Sequence, residues 1–423
     1  MDPKTALLQT LGSTEQSQIR LLQGFVQAPS PNPPGDTTAA AAVLTEYLTE
    51  KGIPYQLITA KPGCPNLVSE FAGGKGPGPR VVLNGHIDVF PAGDSSDWTR
   101  DPWSGDIIDG RLHGRGVVDM KSGTASLVVA YAHLYEIRES LKGSVSLCAV
   151  SDEETGGKWG TKYLIQQDRE RWGGDVMLSA EPTGQTIRFS EKGTLRLSGT
   201  IKTRGALGAY LNLSKGAIRT ATAFILDAIE TVESMQFDIP DEIERHLKKP
   251  EVLKIVDEAM GEGTSTIIAR PTVNVGTIKG GIKVNVIPEL CEFELDIRLP
   301  IGLTAEDVMG KLHSITERPQ YVEATIQLKV QEAASNPSSF SSISHPMVGF
   351  LGDNAKAVAP GTHPVAIPSM GATDCKHYRY AGIPGYVYGC SPFSMAAVNE
   401  SASITEFLQV AKVQAAAAFD FLQ

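Results

Sequence analysis

The chain has 423 residues and a formal net charge of -10, from 38 basic and 48 acidic side chains. This length exceeds what one ordinary hydrophobic core supports, so the sequence predicts two domains. A hydrophobic content of 41% and a charged content of 20% are typical of a soluble globular protein. The acidic balance and the lack of a basic stripe argue against a nucleic-acid partner, because phosphate binding needs clustered Lys and Arg.

The N-terminal residues lack the charged-then-apolar layout of a secretory signal. Apolar runs such as 145–150 are far too short to cross a bilayer, so no membrane partner is expected. The five cysteines are scattered without a CxxC pair, and their odd number predicts reduced thiols. These features together predict a cytoplasmic enzyme.

The first part of the chain alternates short strands and helices. Helical apolar spacing predicts helices at 14–26 and 37–51, joined by the rigid proline-rich loop 29–35. The elements predicted after them are strands 55–59, 80–83, 144–150 and 175–180 and helices 123–136 and 158–167. Such alternation predicts an α/β fold with a mostly parallel sheet and helices on both faces. Ligands bind such sheets beyond the carboxyl ends of the strands.

The pattern changes at about Thr194, where exposed-strand alternation begins. The elements predicted from there are strand 195–203, helix 214–235, strands 273–278 and 291–299, helix 304–316 and strand 321–330. This order is the split βαβ pattern of a ferredoxin-like α+β domain. We therefore predict a catalytic domain made of 1–193 and 333–423, with 194–332 inserted between its two parts.

Motifs with carboxylate side chains follow or interrupt the apolar segments of the first domain. Their residues are His86 and Asp88, then Asp119, then Glu153 and Glu154, then Glu181. The first two are two positions apart, so in a strand they project to one face. Singly, each motif has a plain structural explanation as a capped strand end, a helix N-cap or a solvated face. Together and in this order they indicate a hydrolase with a co-catalytic metal site.

The motifs resemble those of the M20 family of metallopeptidases and amidohydrolases over nearly the whole chain. The resemblance implies a zinc-peptidase catalytic domain and an inserted lid through which the chain forms a homodimer. It also implies that His86 and Glu181 bind a first metal, that Glu154 binds a second, and that Asp119 bridges both. The expected metal is zinc, one or two ions per chain, with cobalt or manganese as alternatives.

The resemblance also implies two residues that act without being metal ligands. Glu153 would be the general base that takes the proton of the attacking water and passes it to the leaving amine. Asp88 would hydrogen-bond the far nitrogen of His86 or otherwise orient its ring, as carboxylates behind metal ligands do.

Two positions depart from the family pattern. Ala396 stands where the family has a histidine ligand of the second metal, and Leu207 stands where the lid has a histidine for the oxyanion. Tyr210 or Asn212 could donate a hydrogen bond in its place. Ala396 leaves three interpretations open, namely an engineered substitution, a natural one-metal branch, and a protein that has lost hydrolysis. The other site residues are retained, which favours a working or deliberately disabled site.

The expected reaction is hydrolysis of the amide bond of an N-acyl amino acid or a small peptide-like substrate. In the resemblance, Asn285 and Arg298 hold the substrate carboxylate, and Gly371 belongs to a loop that faces the substrate. Arg298 is as readily explained as a strand residue paired with Asp296. The alternative functions are an amide-forming biosynthetic enzyme and a non-catalytic binding protein.

Overall fold

The computed structural model describes residues 2–423, which divide into two compact units. The first unit comprises the described residues up to Phe189 together with Phe340–Ile367 and Thr373–Gln423, and the second comprises Ser190–Ser339 and Pro368–Ala372. The sequence pattern predicts the two boundaries at 193/194 and 332/333. It does not predict that the short segment Pro368–Ala372, which contains Gly371, groups with the second unit.

The first unit is built on a mixed sheet whose centre is parallel. Its strands are β1 (Gln56–Lys61), β2 (Cys64–Ala72), β3 (Arg80–His86), β6 (Ser144–Val150), β7 (Val176–Ser179), β8 (Ile187–Glu191), β15 (Ser339–Phe340), β16 (Ala366–Ser369) and β17 (Gly385–Val387). Among the described residues the order is β1-β2-β6-β3-β7-β17-β8-β15, with β16 beside β8. Neighbouring strands are parallel from β6 through β3 and β7 to β17. The outer pairs β1–β2, β2–β6 and β17–β8 are antiparallel. The predicted mainly parallel α/β sheet is confirmed.

The central strands are buried along nearly their whole length, as continuous apolar runs in parallel sheets are. The last residue of β3, His86, pairs in register with the last residue of β6, Val150. Glu153 follows the end of β6 by three residues, and Glu181 follows the end of β7 by two. Because parallel strands end at one edge of a sheet, three chemically active segments separated in sequence meet there.

The helices of the first unit include several that periodicity did not predict. They are α1 (Pro3–Ser13), α2 (Glu15–Val26), α3 (Thr38–Glu50), α4 (Ser122–Glu136), α5 (Thr161–Gln167), α6 (Arg169–Gly173), α12 (Pro346–Val358), α13 (Cys375–Tyr380) and α14 (Ile404–Phe421). Helix α14 packs against α4 and α12 and buries an alanine run, Ala415 to Ala418. Four consecutive buried alanines occupy all sides of one helical turn, so this part of the helix lacks the alternation of polar and apolar faces by which a helix is predicted.

A small three-stranded sheet positions the C-terminal motif. Its strands are β4 (Ile107–Ile108), β5 (Arg111–His113) and β18 (Ser401–Ser403), in the order β18-β5-β4. Pairing of β18 with β5 joins Ser401 to His113 in register. Glu400 is thereby placed beside the chain segment that leads from β5 to Asp119.

The second unit has an antiparallel four-stranded sheet. Its elements are β9 (Gly193–Lys202), β10 (Ala206–Leu207), α7 (Ala217–Glu233), α8 (Asp241–Leu247), α9 (Pro250–Met260), α10 (Thr264–Ile267), β11 (Thr272–Gly280), β12 (Val286–Ile287), β13 (Leu290–Leu299), α11 (Ala305–Thr316) and β14 (Thr325–Val330). The sheet order β11-β13-β9-β14, with α7 and α11 packed together, is the arrangement of a ferredoxin-like domain. Strand β14 starts later than predicted because Tyr321 lies in a turn and donates its hydroxyl to Asp227. Within residues 2–423 no helix is long and apolar enough to span a membrane.

Candidate metal centre

His86 is held at the end of β3 with one ring nitrogen committed to the backbone. Its Nδ1 lies 2.8 Å from the carbonyl oxygen of Asp88. A carbonyl only accepts, so Nδ1 carries the hydrogen and Nε2 of the neutral ring presents a lone pair. The ring is 1% exposed, which leaves water little access to that lone pair. Ligand histidines characteristically donate their other nitrogen in this way.

The free nitrogen of His86 faces two carboxylates. Nε2 lies 3.1 Å from Oδ1 of Asp119 and 3.5 Å from Oε1 of Glu181, and ligand atoms of all three residues lie within 4.8 Å of one another. Three acceptors at these distances repel unless a cation or a proton lies among them. Burial alone lowers the pKa of His86, but the carboxylates, Glu181 first, raise it well above its ordinary value. Burial raises the pKa of Glu181 well above its ordinary value too.

Asp88 contacts His86 through its main chain and not through its carboxylate. Its carboxylate oxygen lies 3.6 Å from Nδ1 of His86, beyond hydrogen-bond distance, while its backbone carbonyl takes the ring hydrogen. The carboxylate instead accepts the backbone N–H groups of Glu153 at 3.2 Å and Glu154 at 3.1 Å. Asp88 therefore orients the histidine through its main chain and fixes the double-glutamate turn through its side chain.

Glu153 carries the carboxyl group whose acidity suits proton transfer. It starts a 3-10 turn, Glu153–Thr155, after Asp152 at φ 76°. Burial raises the pKa of Glu153 to about 7, although Lys376, whose Nζ lies 3.7 Å from Oε1, lowers it in part. A general base works best when its pKa lies near the operating pH.

Glu154 interacts electrostatically with Asp119, and one of its carboxylate oxygens is buried without a hydrogen-bond donor among the described residues. Burial, and after it the charge of Asp119, raises the pKa of Glu154 to about 9. Among the described residues its buried Oε1 has no hydrogen-bond partner. An unpaired buried carboxylate oxygen is costly unless a cation binds it. Its distance keeps it outside the close group of His86, Asp119 and Glu181.

The loop that carries Asp119 is fixed by Glu400. The Glu400 carboxylate is 1% exposed and accepts the guanidinium of Arg115 at 2.6 Å. It also accepts the backbone N–H groups of Gly116 at 3.0 Å, Val118 at 2.8 Å and Asp119 at 3.3 Å. Glu400 is thus a structural carboxylate of the Asp119 loop, and its oxygens are already occupied.

Asn399 and His377 are two polar residues that could bind a metal in place of Ala396. Ala396 lies exposed in a loop at φ 58°. Asn399 accepts the backbone N–H and the hydroxyl of Thr99. His377 directs Nε2 to the carbonyl oxygen of Gly156 at 3.2 Å. Oδ1 of Asn399 is therefore occupied, whereas the contact of His377 uses the hydrogen on Nε2 and leaves a lone pair on Nδ1.

The predicted substrate residues all lie in the second unit. Arg298 forms a two-point pair with Asp296, through Nε at 2.9 Å and Nη2 at 3.0 Å. Arg298 is therefore paired with Asp296 within the strand, which is one of the two explanations that the sequence leaves open for it. Asn285 is exposed before β12, and its carbonyl accepts the N–H of Gly208. Gly371 is exposed as well.

Lys376 and Asp374 act electrostatically on Glu153, although the sequence motifs do not assign either residue a role in the site. Lys376 donates to the carbonyl of Thr373 at 3.0 Å and lies beside Glu153. Asp374 accepts the hydroxyl of Thr161 at 2.7 Å. The sequence signal that could have identified them is the cluster of polar and charged residues between Gly371 and strand β17.

Comparison with models of protein families identifies the family to which the chain belongs. The model of peptidase family M20/M25/M40 matches residues 82–420. That span includes every residue of the centre described above. The chain belongs to this family, so the sequence-based assignment to M20 and to hydrolases of peptide and amide bonds is confirmed at the level of the family.

Solved structures of the same fold agree over nearly the whole chain. One is an M20 family metallo-carboxypeptidase, Sso-CP2, from Sulfolobus solfataricus, with TM-score 0.74 and 19% identity over 96% of this chain and 98% of that one. Human carnosine dipeptidase 1 has TM-score 0.72 and 15% identity over 100% and 99%. The dipeptidase Dug1p from Saccharomyces cerevisiae has TM-score 0.71 and 15% identity over 100% and 99%. At these identities the likeness establishes the fold.

Proposed function

We propose that this chain is a metal-dependent amidohydrolase that cleaves the amide bond of an N-acyl amino acid or a small peptide-like substrate. The observation that carries the proposal is the convergence of His86, Asp119 and Glu181 at one edge of the sheet. A carboxyl group with a pKa of about 7, that of Glu153, belongs to the same group of interacting charges. This set combines a cation site with a base poised to transfer a proton near neutral pH.

The donor set fits zinc. The first ion would be held by His86, Asp119 and Glu181. Its positive charge would remove the repulsion among the acceptor atoms of these three side chains. Asp119 and Glu154 would hold a second ion, for which the unpartnered Oε1 of Glu154 is the supporting observation. Imidazole and carboxylate ligands also suit cobalt and manganese. Bound there, the metal supplies positive charge that polarises the substrate carbonyl and acidifies a water molecule.

The proton transfers fall to Glu153. Its carboxylate accepts the proton of the attacking water and returns it to the amine that leaves. Lys376 keeps a fraction of this carboxyl ionised by its charge, and Asp88 fixes the backbone of the turn on which it stands. The reaction therefore uses a base that is held by its main chain and tuned by one nearby cation.

Peptide-like substrates are favoured because two of the similar structures are described as dipeptidases and one as a carboxypeptidase. Arg298 would bind a substrate carboxylate only by sharing its guanidinium with Asp296, while Asn285 and Gly371 are exposed and accessible. We also propose that the second unit forms the homodimer contact. Leu207, Ile282 and other exposed apolar side chains there support a protein partner.

The test combines metal analysis with a substrate panel of N-acyl amino acids and dipeptides. Purified protein should contain tightly bound divalent metal and release a carboxylate and an amine from at least one substrate class. A protein that binds no metal and cleaves nothing would be a binding protein instead. Net formation of amide from the two products would identify the condensing enzyme.

A further inference from the structure

The proline-rich loop between α2 and α3 runs beside the chain that leaves β3. The N–H of Asn32 donates to the carbonyl of Val89 at 2.8 Å, and the N–H of Val89 donates to the carbonyl of Ser30 at 3.0 Å. The Ser30 hydroxyl donates to the carbonyl of Ile87 at 2.7 Å. These bonds fix Asn32 beside Asp88, so the loop does more than connect the two helices.

The side-chain amide of Asn32 bridges two parts of the centre. Its nitrogen donates to Oδ2 of Asp88 at 2.8 Å and to the hydroxyl of Thr155 at 3.3 Å. Asp88 is completely buried and holds the N–H groups of Glu153 and Glu154. The same amide thus contacts the carboxylate that fixes the turn and the last residue of the turn itself.

We propose that Asn32 is a positioning residue for the double-glutamate turn. Its amide holds the Asp88 carboxylate in the orientation that receives both backbone N–H groups, and so sets where the carboxyl groups of Glu153 and Glu154 lie. Without this donor, a fully buried carboxylate keeps only the two amides and can rotate away from one of them. The catalytic consequence rests on the proposed function, whereas the positioning itself does not.

Two substitutions and a matched control test this role. Asn32→Asp keeps the size of the side chain and replaces the donor by a second carboxylate, and Asn32→Ala removes the group in case the aspartate variant fails to fold. Asn354 is the control, since it is 4% exposed against 5% for Asn32 and donates its amide to Asp420 at 2.7 Å. Asn354→Asp and Asn354→Ala make the same chemical changes between α12 and α14.

The first readout is amide hydrogen exchange of the peptide that covers 151–158, measured without added metal. Both Asn32 variants should speed exchange at Glu153 and Glu154 by about tenfold, the effect of losing one ordinary hydrogen bond. The second readout is zinc titration and steady-state kinetics. We expect kcat and the affinity for the second zinc equivalent to fall by about 10- to 100-fold, with KM little changed.

Each outcome decides the inference. Asn354 variants should lose thermal stability and still match the wild type in exchange at 151–158, zinc affinity and kcat. Asn32 variants that exchange this peptide no faster than the Asn354 variants would overturn the positioning role. A wild-type protein that neither binds zinc nor cleaves amides would overturn the proposed function, while the exchange measurement would still decide the role of Asn32.

Discussion

The carboxylate of Glu400 receives the guanidinium of Arg115 at 2.6 Å, and both side chains are almost completely buried. Glu400→Ala should therefore destabilise the protein by about 3–5 kcal/mol, because it leaves a buried charge unpaired. It should also weaken metal binding, because the loop of Asp119 loses its anchor. Chemical denaturation and metal analysis measure the two effects.

The exposed pair between Lys51 and Glu136, at 3.1 Å, provides the control. Glu136→Ala should cost at most about 1 kcal/mol, as exposed ion pairs do. Equal losses of unfolding free energy in the two variants would contradict the anchoring role of Glu400.

Glu153→Gln should abolish turnover and leave metal content nearly intact, because the amide keeps the shape of the side chain and cannot accept the proton. Glu154→Gln should instead reduce binding of the second ion. Metal analysis and initial rates on the same preparations separate the two glutamates. Loss of the first metal in Glu153→Gln would show that this residue is a ligand.

The value of kcat/KM should rise with pH along an acid limb, and the midpoint of this limb should lie at or below pH 7. The base must be ionised, burial raises the pKa of Glu153 to about 7, and a bound cation lowers it. Lys376→Met removes a charge that lowers this pKa, so the limb should move to higher pH. Lys162→Met removes an exposed lysine charge and should leave the limb in place. An unmoved limb in Lys376→Met would rule out Lys376 as the tuning cation.

His86→Ala should empty the first metal site and lower the melting temperature of the protein, because a metal that binds only the native state stabilises it by mass action. A chelator should lower the melting temperature of the wild type and have little further effect on His86→Ala. Differential scanning calorimetry with metal analysis measures both changes. Full metal content in the variant would refute the ligand assignment.

The second metal should bind weakly, since only Asp119 and Glu154 remain to hold it. The purified chain should contain nearer one than two equivalents of metal. Ala396→His should raise the content towards two and, if the alanine replaces a native histidine, raise activity steeply. Two tightly bound equivalents in the unmodified chain would mean that another residue completes the second site.

The sequence by itself determined the central parallel strands of the first unit and the residue types of its centre. Buried apolar runs such as 144–150 predict parallel strands because their periodicity and length are local properties. Carboxyl ends of parallel strands meet at one edge, so His86 and the glutamates that follow β6 and β7 had to converge there. The alternation after Thr194 predicted the four long strands and the two packed helices of the second unit for the same reason, but not its short strands β10 and β12 or helices α8, α9 and α10.

Only the tertiary structure decided how these side chains are partnered. The carboxylate of Asp88 could have accepted a hydrogen bond from His86, two residues away. It instead accepts the N–H groups of a turn 65 residues further on. Lys376 reaches Glu153, and Arg298 pairs with Asp296. A hydrogen bond forms with whichever donor the chain path brings within about 3 Å, and that path depends on the packing of the whole unit rather than on spacing in the sequence.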